Sequence, residues 1–92
     1  MGKTSQTGLR KFDKKRRWRI IAVDSCDEHF CKINDIVTFA YFGVWPDFPM
    51  MVMPNGRIHC IKTTDLVEID KIGNVIRTYK EGDTLISGTI IQ

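Results

Sequence analysis

The first nineteen residues hold a dense group of cations that could bind the phosphates of a nucleic acid. Eight lysines and arginines in this stretch are opposed by a single acidic residue, Asp13, so the segment carries a net charge of +7. The remaining residues, 20–92, have six basic and ten acidic side chains, for a net charge of −4. A concentrated positive segment attracts polyanions whatever fold follows it. The charge distribution therefore predicts a basic arm joined to an acidic body.

Candidate nucleic-acid contacts in this segment are the basic residues nearest the body and the aromatic residue among them: Arg10, Lys11, Lys14, Lys15, Arg16, Arg17, Trp18 and Arg19. Neutralisation of phosphates releases counterions, so we expect binding that weakens steeply with salt. Trp18 could stack on a base if its ring is exposed. The alternative is a solubilising tail, with Trp18 turned into the core.

An aromatic loop is the second candidate site. Four aromatic residues and two prolines occur within nine residues: Tyr41, Phe42, Trp45, Phe48, Pro46 and Pro49. Tyr41, Trp45 and Phe48 are the candidate partner-binding residues, and we expect Trp45 to be exposed. In the alternative interpretation, Phe42 and Phe48 close one end of a small core.

Metal binding and catalysis are both disfavoured by residue spacing. The potential zinc ligands are Cys26, His29, Cys31, His59 and Cys60. They lack the paired CxxC arrangement of structural zinc sites. In a strand, the adjacent His59 and Cys60 would point to opposite faces. The chain also shows no nucleophile with a matching base and no phosphate-binding glycine loop. We therefore expect no metal, no cofactor and no enzymatic activity.

The elements that must position these residues are short β-strands. Runs rich in aromatic and β-branched residues, separated by turn residues, predict strands near 18–23, 35–42, 50–53, 57–61, 66–69, 75–79 and 84–91. Asn55-Gly56 predicts a tight hairpin with a type I′ turn. Thr63-Thr64-Asp65 predicts a short capped turn. About seven strands in so short a chain favour an all-β, closed or partly open barrel, because closure removes exposed edges.

Three short motifs carry a resemblance to a known family. Ile33-Asn34-Asp35-Ile36-Val37, Asn55-Gly56-Arg57-Ile58 and Thr64-Asp65-Leu66-Val67 resemble the small SH3-like barrels, including the KOW-type domains of ribosomal and transcription proteins. Such domains usually have Gly-Asp where this chain has Asn34-Asp35, and Asn tolerates the left-handed conformation that Gly would supply. The resemblance covers roughly residues 17–70. A basic-tailed barrel of this kind also resembles host-takeover proteins of tailed bacteriophages.

These observations predict a flexible basic arm at residues 1–16 and an SH3-like barrel with extra C-terminal strands at residues 17–92. The expected function is non-enzymatic binding of nucleic acid, DNA rather than RNA, with low sequence specificity. The alternative is a protein-interaction module that modulates a host or transcription-related protein through the loop around Trp45. The odd cysteine count, 3, and the lack of a long apolar run favour a cytoplasmic protein, nucleoid-associated if it binds DNA, with no membrane partner.

Overall fold

The structure is a computed structural model that describes residues 15–91. It confirms the all-β prediction for these residues. Seven strands run through them, β1 Arg17–Ile20, β2 Ile36–Tyr41, β3 Met50–Val52, β4 Ile58–Cys60, β5 Leu66–Ile69, β6 Val75–Thr78 and β7 Thr89–Ile90. Two 3-10 turns, Ser25–Asp27 and Thr63–Asp65, precede β2 and β5.

The strands form one antiparallel sheet in the order β4-β3-β2-β1-β5-β6-β7. The first strand is therefore central, and its partners lie on either side of it in space but far apart in sequence. Trp18 is opposite Val37 of β2 and opposite Glu68 of β5. The Thr63–Asp65 turn confirms the predicted turn before β5. Its first hydroxyl does not cap that turn, because Thr63 Oγ1 donates instead to the Asp83 carbonyl, at 2.7 Å.

One apolar core lies on the face of the sheet that carries Trp18. Its buried members are Trp18, Ile20, Cys31, Val37, Met51, Met53, Ile61, Leu66 and Leu85. Burial of a large side chain of this kind contributes roughly 1.5–3 kcal/mol. The core draws on β1, β2, β3 and β5, on residues of the segments between strands, and on Leu85, which lies beyond β6. The C-terminal segment is thus part of the same hydrophobic unit as these strands.

A half-buried tyrosine joins the C-terminal segment to β1. The Trp18 indole N–H donates to Tyr79 Oη at 2.8 Å, and this hydroxyl donates to the Leu85 carbonyl at 3.1 Å. Burial raises the pKa of Tyr79 to about 12, because the phenolate would lose its hydration. The neutral hydroxyl therefore serves both hydrogen bonds at physiological pH.

A buried carboxylate joins β5 to β6 and to the residue before β1. Glu68 accepts two hydrogen bonds from Arg16, from Nη2 at 2.6 Å and from Nε at 2.8 Å. Arg77 Nε donates to the same carboxylate at 3.1 Å. A buried charge is costly, and these ion pairs and hydrogen bonds compensate the charge of Glu68. The interaction also fixes Arg16, the last residue of the predicted arm, to the body.

Two turn predictions illustrate what local sequence encodes. Asn34 has φ 79°, which confirms that it takes the left-handed conformation before Asp35.

The hairpin at Asn55-Gly56 also forms, but the type I′ assignment is wrong. Gly56 has positive φ and Asn55 does not. Gly56 N donates to the Met53 carbonyl, and Met53 N donates to the Arg57 carbonyl, so the loop has three residues. Proline at position 54 has φ fixed near −65°, which favours a type I turn followed by a left-handed glycine.

The predicted last strand at 84–91 is mostly wrong. Thr84 N donates to Ser87 Oγ at 2.7 Å, and Ser87 N donates to the Thr84 carbonyl at 3.2 Å. These local bonds form a turn, and only Thr89–Ile90 pairs with β6. The hydroxyls of Ser and Thr can form hydrogen bonds with nearby backbone groups, and these bonds compete with strand pairing.

Candidate nucleic-acid interface and aromatic loop

The structure separates the predicted basic residues into three groups. Arg10, Lys11 and Lys14 lie outside the described residues. Lys15 and Arg17 are exposed at the start of β1. Arg16 and Arg19 are held against the body, the first by Glu68 and the second by a hydrogen bond from Nη2 to the Gly73 carbonyl at 2.9 Å. Arg17 is therefore a better candidate for a phosphate contact than either of its neighbours, Arg16 and Arg19.

Base stacking by Trp18 is not supported by the structure. Its side chain is fully buried at the centre of the core and its N–H is bonded to Tyr79. Arg16 lies over the ring, with its guanidinium carbon 5.2 Å from the ring centroid. The alternative interpretation, that Trp18 is a core residue within a basic sequence, is correct.

The aromatic loop connects β2 to β3 and exposes part of its aromatic surface. Trp45 is 66% exposed and Tyr41 is 52% exposed, which confirms the prediction for Trp45. Phe48 is half-buried. A shallow concavity of about 340 Å³ lies here, and its lining residues are Gly43, Val44, Trp45, Phe48, Met50 and Cys60. The exposed apolar groups could stack on bases or receive an apolar side chain of a protein partner.

Backbone hydrogen bonds hold this loop in place. Phe48 N donates to the Trp45 carbonyl at 3.0 Å, and Thr63 N donates to the Asp47 carbonyl at 3.0 Å. Lys62 Nζ lies 5.9 Å from the centroid of the Phe48 ring. An ion pair with Glu81, at 2.6 Å, raises the pKa of Lys62 through its hydrogen bond. Lys62 therefore lies at the border of the concavity and already has a carboxylate partner.

The topology places the aromatic loop and the exposed cations at the same end of the sheet. β1 begins at Arg17, and β2 runs antiparallel to it. The loop that follows β2 therefore lies at the end of the sheet where β1 begins. Trp45 and Tyr41 thus share one end of the sheet with Lys15 and Arg17.

The five potential metal ligands do not form a metal centre in the described part of the chain. Within residues 15–91, no group of three or more His, Cys, Asp and Glu side chains could hold an ion. His59 Nε2 instead lies 2.8 Å from Asp27 Oδ1. Cys31 is buried in the core, and this burial raises the pKa of its thiol. Cys26 and Cys60 are exposed free thiols.

Sequence analysis missed a second aromatic surface, at the opposite end of the sheet. Phe30 stacks on His59 with the ring centroids 4.6 Å apart and an angle of 18° between the planes. The pair borders a cleft of about 380 Å³, to which Arg57 and Asn55 also contribute. The sequence signal for this surface was an aromatic residue, Phe30, within the polar segment after β1. Its pairing with His59, 29 residues later in the chain, was not visible in the sequence.

Comparisons with known proteins leave the family open. No protein-family model, no curated protein and no solved structure matches this chain. Within the residues described, no helix has the length and apolar character needed to cross a membrane.

Proposed function

We propose that this protein is a non-enzymatic nucleic-acid-binding protein whose affinity comes chiefly from the basic residues at and before the start of β1. The observation that carries the proposal is the charge separation, +7 in residues 1–19 against −4 in residues 20–92. The exposure of Lys15 and Arg17 supports it. An acidic body repels phosphates, so the basic segment must supply the attraction. DNA with little sequence preference is the expected ligand, since phosphate contacts carry no base information.

The aromatic loop would add contacts to unpaired bases. Trp45 and Tyr41 present exposed rings at the end of the sheet where the cations lie. Stacking on such rings tolerates any base, because every base has a π face. In this proposal, phosphates bind the basic residues and unpaired bases stack on the loop. Binding of single-stranded DNA should then depend on Trp45, and binding of duplex DNA should not.

Binding across a series of salt concentrations tests this function. Fluorescence anisotropy with duplex DNA, single-stranded DNA and RNA should give affinities that fall linearly with salt on logarithmic axes. Substitution of Lys15 and Arg17 by Glu should weaken binding to all three ligands and reduce the slope for duplex DNA by roughly 0.9 for each phosphate that the variant no longer neutralises. Lys80→Glu is the matched control, since Lys80 is also exposed. Affinity that is independent of salt, or equally weakened binding in the control, would contradict the proposal.

We further propose that the body is an SH3-like barrel of the KOW type with a C-terminal extension. The order β5-β1-β2-β3-β4, in which the fifth strand pairs with the first, supports this assignment. The 3-10 turn directly before β5 and the left-handed Asn34 also support it. In this scheme, β6, β7 and Leu85 are additions that cover the free side of β5. An experimental structure with a closed or partly open barrel over β1 to β5 would verify the assignment.

A second candidate function is the binding of a host or transcription-related protein at the aromatic loop. The observation that favours it is the concavity beside Trp45, whose lining is almost entirely apolar. Exposed tryptophans are frequent hot spots in protein interfaces. Trp45→Ala separates the two functions. Weaker binding to single-stranded DNA supports nucleic-acid stacking. Loss of a captured protein, with DNA affinity unchanged, supports the interaction module.

A further inference from the structure

The cleft at the opposite end of the sheet has the chemistry of a nucleotide site. Phe30 is 50% exposed and stacks on His59, which lies on β4. The two rings are nearly parallel, so they form a flat aromatic platform beside the cleft. Phe30 also borders a second concavity of about 300 Å³. Phe30 therefore borders both spaces, and because His59 covers one face of its ring, a planar ligand would stack on the other face.

Asp27 holds both rings of this platform. Its carboxylate Oδ1 lies 2.8 Å from His59 Nε2. Its backbone carbonyl accepts hydrogen bonds from Phe30 N at 2.9 Å and from Cys31 N at 3.2 Å. The turn directs Phe30 back over the imidazole, and the next residue, Cys31, is anchored in the core. The platform is therefore formed before any ligand arrives, which reduces the entropy lost on binding.

A cation lies beside the aromatic platform. Arg57 is exposed and contributes to the same cleft as Phe30 and His59. Within residues 15–91 its side chain forms no ion pair, in contrast to Arg16 and Arg77, which bind Glu68. Asn55 Oδ1 accepts a hydrogen bond from Arg57 N at 2.9 Å, and this bond fixes the hairpin from which the arginine projects. A guanidinium with free donors is well suited to bind a phosphate.

We propose that this cleft binds a nucleotide unit, with the base stacked on Phe30 and the phosphate at Arg57. The charges decide the orientation. Glu28, Asp35 and Lys32 border the second concavity, for a net charge of −1, so a phosphate is repelled there and attracted to Arg57. Among residues 15–91, the lining of the Arg57 cleft includes no carboxylate, and the nearby carboxylate of Asp27 is bonded to His59. The phosphate therefore lies on the Arg57 side.

This site is separate from the one in the proposed function. The segment after β1 and the hairpin after β3 lie at the end of the sheet where β1 finishes, whereas Trp45 lies at the other end. A free nucleotide and one unit of a single strand present the same chemistry to the cleft. The first would bind to this site alone, and the second would span the sheet to the basic residues.

The experiment measures the binding of adenosine monophosphate and of a short oligodeoxyadenylate to the full chain by isothermal titration. Adenosine and inorganic phosphate, tested alone, separate the base from the phosphate. Phe30→Ala should weaken binding of both nucleotide ligands about 5- to 150-fold, the range for loss of one stacked base. Phe30→Leu keeps an apolar side chain without a π face and should show the same loss, which guards against an effect of misfolding. Arg57→Gln should abolish the advantage of the monophosphate over adenosine.

Ile86→Ala is the matched control, because Ile86 has nearly the same exposure as Phe30, 52% against 50%, and lies outside both proposed sites. Adenosine monophosphate binding that is unchanged in this control and weakened in the Phe30 and Arg57 variants supports the proposal. Binding of the oligonucleotide without binding of the monophosphate, with the same dependence on Phe30, supports a strand as the source. Failure of the wild-type chain to bind either ligand, or equal losses in Ile86→Ala, overturns the nucleotide site. Salt-dependent binding of duplex DNA would still stand in that case, so the two proposals fail separately.

Discussion

Removal of the Tyr79 hydroxyl tests how strongly the C-terminal segment stabilises the fold. In Tyr79→Phe the ring keeps its volume, so no large cavity forms. The Trp18 N–H, which is fully buried, loses its acceptor, and the Leu85 carbonyl loses a donor. A buried polar group without a partner costs about 1–3 kcal/mol. The carbonyl can recover part of its hydrogen bonding by local movement, so we expect a total near 2 kcal/mol. Because domains of this size lose about 4–8 °C for each kcal/mol, the expected fall in Tm is about 8–16 °C.

Thermal and urea unfolding followed by circular dichroism measure this destabilisation. Tyr41→Phe is the control, because this tyrosine is exposed and its hydroxyl has no hydrogen bond within residues 15–91. Its effect should stay within about 0.5 kcal/mol. A Trp45→Phe background makes Trp18 the only tryptophan of the chain, so fluorescence then reports on the core directly. If Tyr79→Phe and Tyr41→Phe unfold at the same temperature, the hydrogen-bonded link between Trp18 and Leu85 does not stabilise the fold.

Three further perturbations have defined outcomes. Glu68→Ala should cost about 3 kcal/mol in urea unfolding, since it removes the carboxylate that the part-buried Arg16 and Arg77 share. Glu81→Ala, which breaks an exposed pair, should cost less than about 1 kcal/mol. Gly88→Ala should cost about 1–3 kcal/mol and lower the Tm, because the new Cβ would lie 2.5 Å from the Thr78 carbonyl oxygen. Stability should fall as the pH rises from about 10 towards 12, because the raised pKa of Tyr79 favours the protonated folded state. Tyr79→Phe should show a smaller pH dependence in pH-series unfolding.

Much of the fold was predictable because local sequence carries it. The β-branched and aromatic runs identified six of the seven strands to within a few residues, and Asn34 and Asn55-Gly56 located two turns. The predicted strand at 84–91 was mostly wrong, because its apolar residues are typical of a strand but only Thr89–Ile90 forms one. The hydroxyls of Thr84 and Ser87 instead form a turn with the backbone, and Leu85 enters the core alone.

The candidate site was less predictable because it depends on contacts between distant residues. Sequence placed Arg16 and Trp18 in a basic cluster, where both looked available to a ligand. In the structure, Glu68 binds Arg16 in an ion pair across 52 residues of sequence. Tyr79, 61 residues away from Trp18, accepts the hydrogen bond that fixes the Trp18 side chain in the core. The exposure of Trp45 was predictable, because prolines close after it disfavour a strand at that position.

The central position of β1 has a consequence for how the chain is made. β1 leaves the ribosome before one of its two partners, β5, which is synthesised some fifty residues later. Until then β1 has only β2 as a pairing partner, and the nascent chain exposes an unpaired strand edge next to a strongly cationic segment. Contacts over so long a separation also slow folding. A translating chain stalled before β5 should therefore be the form most prone to aggregate, and charge repulsion between the basic segments of neighbouring chains would oppose that association.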